Sequence, residues 1–216
     1  MTPPDHLLPR NSFVALRAFT LTELLAVMAV ITLLASLVAP SLNLNRGQSL
    51  TNAGNQIVDM VQQARQNSVA KNVMTALVVV GNSSNPEANG RAIVLMELSG
   101  DPLKWTPITR WTTLPAGVVI DPDAAKSGFF AGSPTVDPPI SLPAYAGTPV
   151  NMAGCAAQIF APGGRLVTTG ITNPISPLLH VVLGSVNNQQ VQQQNAADYY
   201  NVVINRFTGL PKIDRQ

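Results

Sequence analysis

At 216 residues, 46% of them apolar, the chain fits one domain, or one domain with an appendage, and can build a real core. A formal charge of only +2 gives no strong overall field to gather nucleic acid or anionic lipid, so partners must be read from local features. Cys155 is the single cysteine, which excludes an intrachain disulfide and a thiolate metal cage within one chain.

The front of the chain is the informative part. Residues 18–44 read AFTLTELLAVMAVITLLASLVAPSLNL, with Glu23 as the single charge. About 20 apolar residues suffice to cross the hydrocarbon core as a helix, so a membrane helix is expected here. Arg10 and Arg17 precede it, whereas only Arg46 follows before Arg65. That bias predicts a single-pass topology with the N-terminus in the cytoplasm and the remainder across the membrane.

Three readings compete for the span. A secretory signal peptide fits poorly, because the apolar run exceeds the usual roughly 7–15 residues and a cut after Ala39 would leave Pro40 directly behind it. A plain signal anchor explains the length but not Glu23. An ionisable group inside a span costs roughly 2.5–3.5 kcal/mol and needs a partner. Cleavage between Ala18 and Phe19 would create one: a new amine four residues ahead of Glu23, free to pair with it in the same chain or in a neighbouring subunit at low dielectric.

Arg17-Ala18-Phe19-Thr20-Leu21-Thr22-Glu23-Leu24-Leu25 resembles the opening of type IV prepilins and of the pseudopilins of type II secretion. The resemblance implies cleavage before Phe19 by a membrane aspartyl prepilin peptidase and N-methylation of Phe19. It also implies assembly through Phe19 and Glu23 with other pilin or pseudopilin subunits, on an inner-membrane assembly platform. Ala18 departs from the family's usual glycine before the cut, and Pro40 falls where many members carry a proline.

Pro40 removes a helical hydrogen bond and crowds the preceding turn, so it predicts a kink over residues 36–40 or the end of the membrane segment. Residues 43–49 then read as a linker or a melted patch. Beyond them Leu50, Ala53, Ile57, Val61, Ala64 and Ser68 recur at three- and four-residue spacing, the apolar stripe of an amphipathic helix.

After residue 72 the period becomes extended. Runs at 73–80, 92–98, 105–111, 117–120, 157–160, 165–169, 178–183 and 200–205 are rich in Val, Ile, Thr and aromatics and are bounded by Gly, Pro, Asn and Ser. A final hairpin is expected to turn near Thr208-Gly209. Residues 121–151, heavy in Pro, Gly and Ala, read as a long loop, and the Gln- and Asn-rich 187–195 as a solvated, mobile one.

The expected fold is therefore α+β: a long N-terminal helix, membrane-spanning in its first half and amphipathic in its second, packed on a C-terminal antiparallel β-sheet domain. The expected divisions are a leader at 1–18, a membrane or filament-core helix at 19–44, an amphipathic helix at 45–72 and a β-rich domain at 73–216. The Ala64-Arg65, 68–72 and Arg-Phe-Thr-Gly stretches resemble the GspH/FimT type of minor pseudopilin, and the long loops and tryptophans resemble the Verru_Chthon cassette protein D group.

Catalytic signatures are missing from the sequence. His6 lies in the leader and His180 in an apolar strand; there is no nucleophile elbow, no His-Glu-x-x-His and no phosphate-cradling glycine loop. Cys155 has no adjacent cationic group and reads as a buried, inert thiol. Asp121, Asp123 and Asp137 fit no calcium-loop spacing and read as turn residues. No metal, cofactor or enzymatic activity is expected. Arg206, Lys212 and Arg215 are too sparse for strong nucleic-acid binding. The expected function is a structural subunit of a pilus-like filament; the alternatives are a DNA- or ligand-binding tip module and a membrane-anchored enzyme.

Overall fold

The computed structural model describes residues 20–171, 177–187, 190–195 and 197–215, without the side chains of 35–46 and 215. The chain divides into two compact units, Met1–Asn43 and Leu44–Gln216. A single helix, α1 (Leu21–Lys71), is assigned without a break through Pro40 and Gly47, so no linker or melted patch interrupts it.

In the first unit, residues 20–34 are all exposed, and the large apolar side chains from Leu21 (80% exposed) to Leu34 (55%) point to every side of the helix. Among the described residues no helix is long and apolar enough to cross a membrane. The expected span at 18–44 has Ala18, Phe19 and its side chains from 35 onward outside the description.

In the second unit the helix obeys its stripe. Leu50, Ala53, Ile57, Val61, Ala64 and Ser68 are all buried, joined by Met60 and by Gly54, where an added Cβ would fall inside the Tyr200 ring. The helix ends where Asn72 takes the left-handed conformation (φ 57) and the Val73 N–H donates to Ser68 O (3.3 Å), a turn that occupies an orphan carbonyl of the last turn. Asn67 then donates to Thr75 Oγ1 (3.0 Å) and Glu97 Oε2 (3.1 Å), and Lys71 pairs with Glu97 (2.7 Å), tying the helix end to the strands that follow.

The strands form two antiparallel sheets rather than the one expected. The first contains β1 (Thr75–Val80), β2 (Ala92–Ser99), β3 (Lys104–Pro107), β4 (Thr112–Thr113) and β6 (Cys155–Phe160), in the order β3-β2-β1-β6 with β4 also on β2. The second contains β5 (Val118–Ile120), β7 (Leu178–Asn187), β8 (Gln190–Gln193), β9 (Tyr199–Ile204) and β10 (Pro211–Arg215), in the order β10-β9-β7-β5 with β8 on β7. Their inner faces share one core with the helix: Leu77, Val79, Ile93 and Leu95 from the first sheet, and Leu179, Val181, Tyr200, Val202 and Ile204 from the second.

The first sheet is covered on its other face as well. Ala76, Val78, Val94, Met96, Ala157 and Ile159 point away from the helix and pack against Val136, Ile140 and Leu142. This double burial explains why β1 reads, after Thr75, as an unbroken apolar run, ALVVV, instead of alternating. The cover is the Pro-rich segment expected as a loop. It is pinned by both tryptophans: Trp105 Nε1 donates to Pro138 O (2.8 Å), and Trp111 Nε1 to Pro143 O (3.2 Å) and Ala144 O (3.1 Å), with Tyr145 edge-on to Trp111.

Three further sequence expectations are corrected. The 105–111 run breaks after Pro107, which has no N–H to continue the ladder, and Thr109 Oγ1 accepts the Leu95 N–H (3.2 Å) before pairing resumes at β4. Residues 165–169 form no strand; the Gly163-Gly164 turn leaves one bridge, Phe160 to Leu166. The Gln- and Asn-rich stretch is largely extended, with β8 paired to the end of β7 from Gly184–Gln193 to Asn187–Gln190; an exposed hairpin needs ladder bonds rather than apolar side chains.

Candidate functional site: the capped start of the apolar helix

The helix begins at Thr20, whose Oγ1 accepts the N–H of Glu23 (3.2 Å). Thr20 O accepts the N–H groups of Glu23 and Leu24 (both 3.1 Å), closing the first turn. The Glu23 carboxylate lies 3.5 Å from Thr20 Oγ1, a long contact, and Thr20 Oγ1 lies 3.1 Å from Thr22 Oγ1. A hydroxyl residue followed three positions later by Glu is the signature of a capping box, and a carboxylate in the first turn also complements the helix dipole. This role of Thr20 was missed in the sequence, although Thr-x-x-Glu directly before an apolar run announces it. Glu23 thus lies in the first turn of the helix, in an exposed position.

Ala18 and Phe19, the expected processing and pairing partners, lie outside the described residues, as do His6 and the side chain of Pro40. What the described part contributes is geometry. The carboxylate is held within the first turn, and directly behind it stands a rod of exposed apolar side chains about 21 Å long over residues 21–34.

The other candidate residues are occupied with structure. Asp121 is buried and receives Lys126 Nζ (3.0 Å) and the Asp123 N–H (3.0 Å), while Asp123 Oδ1 takes the Ala125 N–H (3.0 Å). Lys126 therefore stands where a cation would be needed, and among the described residues no group of three His, Cys, Asp or Glu converges. His180 Nδ1 meets Asn201 Oδ1 (2.8 Å), its ring leans on Tyr199, and its backbone N–H donates to Ser127 Oγ (3.0 Å). Burial pushes the Cys155 thiol up to about 12, so it holds little thiolate at neutral pH.

Of the basic C-terminal residues, Arg206 stacks over the exposed Phe207 ring (4.6 Å), Lys212 lies on the exposed edge strand β10, and the Arg215 side chain lies outside the description. Arg65 Nε donates to Thr208 O (2.6 Å), fastening the last turn to the helix. That turn falls at Thr208-Gly209 as expected, with Asn205 Oδ1 accepting the Phe207 and Thr208 N–H groups and Gly209 at φ +67.

The chain is thus an α+β protein whose N-terminal helix, exposed over residues 21–34 and buried along one face from Leu50, is followed by two antiparallel sheets. No protein-family model and no curated protein matches it. Among solved structures it is similar to the minor pseudopilin EpsH from the type 2 secretion system of Vibrio cholerae. That match has 10% identity and a TM-score of 0.45, covering 77% of this chain and 97% of that one. It is also similar to the type IV minor pilin FimU of Pseudomonas aeruginosa (strain PAO1), with 12% identity and a TM-score of 0.43, covering 78% of this chain and 89% of that one.

Proposed function

We propose that the chain is a prepilin-like structural subunit, held in the inner membrane by residues 19–44 and assembled through that helix into a pilus- or pseudopilus-like filament. The observation that carries this reading is the rod of apolar side chains exposed on every side over residues 21–34, headed by a capped Glu23. A helix apolar all round is stable only when lipid or other helices surround it. The resemblance of residues 17–25 to the prepilin opening supports the same reading and supplies its chemistry: peptidase cleavage after Ala18, methylation of Phe19, and an amine that pairs with Glu23 of a neighbouring subunit. Pro40 gives the helix a site at which to bend.

The N-terminus of the mature protein tests the reading. Mass spectrometry of chain recovered from cells with an active prepilin peptidase is expected to find methylated Phe19 first. Recovery with Met1 intact, or trimmed after Ala39, overturns it. Glu23→Ala is expected to insert normally yet fail to cross-link into multimers; unchanged cross-linked ladders would remove the pairing role.

A further inference from the structure

The side chain of Arg91 is an exception to the hydrogen-bond accounting of the domain. Its Nη2 donates to Leu114 O (2.8 Å). Its Nε is shielded from solvent and, among the described residues, is the one buried side-chain nitrogen or oxygen without a partner. A buried donor left unpaired forfeits its hydration with nothing in return, the more so on a charged group, so a stable fold keeps such an atom only where something offsets it. Among the described residues no Asp or Glu forms an ion pair with this guanidinium.

Arg91 lines a cleft of about 620 Å³ between the turn that carries Glu87 and Asn89 and the hairpin of β7 and β8. The Asn89 carbonyl is spent on its own turn, accepting from Ser83 N (2.7 Å) and Ser83 Oγ (3.0 Å). Ser185, Gln192 and Gln194 are exposed along the hairpin wall, so that wall offers one hydroxyl and two amides.

We propose that this cleft binds a small organic monocarboxylate whose body carries hydroxyl or amide groups. One edge of a guanidinium, Nε–H together with an Nη–H, matches the two oxygens of a carboxylate, and Arg91 is among the residues that line the cleft. The charge balance favours a single negative charge: one cation faces the cleft and Glu87 stands on its rim, so a phosphate dianion would be under-matched. Ser185 and the two glutamines meet the polar body. The volume falls within the roughly 300–1,000 Å³ of small-molecule sites. Nothing in this assignment depends on the filament reading.

Titration of the full chain in detergent micelles, followed by amide NMR, tests it with glucuronate and N-acetylglycine as probes. Their neutral counterparts, glucose and N-acetylglycinamide, serve as controls beside inorganic phosphate. At least one carboxylate is expected to shift the Ser185 and Gln192 resonances and to bind about tenfold more tightly than its neutral counterpart. Preference for glucuronate identifies an acidic sugar as the occupant, and preference for N-acetylglycine a peptide-type carboxylate. Arg91→Gln is expected to weaken binding about tenfold and Arg91→Lys to retain part of it. Should Arg91→Gln fail to fold, Ser185→Tyr on the exposed rim is expected to fill the cleft and abolish the shifts. The assignment is overturned if the neutral counterparts bind equally, if phosphate binds more tightly than both carboxylates, if the variants bind like the parent, or if neither carboxylate shifts a resonance at about 10 mM.

Discussion

Thr20 and Glu97 show how single side chains hold the ends of the helix. The Thr20 hydroxyl satisfies a first-turn N–H, so Thr20→Ala is expected to cost about 1 kcal/mol locally and to speed amide exchange at Glu23 while leaving the β domain unchanged. Glu97 closes the other end. The Lys71 ammonium, and to a smaller extent Asn67, hold its carboxyl below the usual 4.5 despite partial burial. A carboxylate lowered in the folded state contributes stability above its unfolded value and loses it as pH falls through the folded one. Wild type should therefore exceed Glu97→Gln in stability at neutral pH and converge with it below 4.5, as read by thermal melts across that range. The difference stays under about 1 kcal/mol, because Lys71 is 53% exposed and screened by solvent.

At the level of elements, the helix meets the second sheet through Gly54, where Tyr200 lies across the backbone and its hydroxyl donates to Asn55 Oδ1 (3.2 Å). Gly54→Ala would gain about 1 kcal/mol of helix propensity but force the ring aside at about 1–3 kcal/mol, so the melting temperature is expected to fall. The strap over the first sheet offers a second test. Trp111→Phe keeps an aromatic side chain but removes the indole N–H that reaches Pro143 and Ala144 together with the packing of the second ring, so faster proteolysis within 133–150 is expected, at a cost of at least about 1 kcal/mol.

These elements were unequally legible in the sequence. The helical stripe from Leu50 to Ser68 was readable because its apolar face repeats at the helical period, and β9 because Tyr200, Val202 and Ile204 alternate. The strap was not, because its fixing contacts are indole N–H groups meeting carbonyls about thirty residues away, which leave no local period. The hairpin of β8 was hidden because its side chains are all but one Gln, and ladder bonds belong to the backbone. At the helix start the Thr-x-x-Glu signal was present but overshadowed by the apolar run behind it. The Arg91 cleft is assembled from three separate stretches and had no linear signature.

At the scale of the molecule, the buried hydrophobic side chains of the described residues begin at Leu50, whereas the large apolar side chains described before it, from Leu21 to Leu34, are exposed. A fragment starting near Leu44 is therefore expected to melt cooperatively as a monomer in plain buffer, while the longer chain requires detergent; light scattering with and without detergent distinguishes them. If the fragment were molten instead, the first half of the helix would have to supply stability that its exposed side chains give no sign of.

The covered sheet also bears on synthesis. Strands such as Val78-Val79-Val80 are adhesive on both sides until something lies over them, and the segment that does so is translated before β6, the strand that completes the same sheet. As the chain leaves the ribosome, the lid is in hand before the last plank of the floor is laid, and the greasy layer need never be finished while still bare.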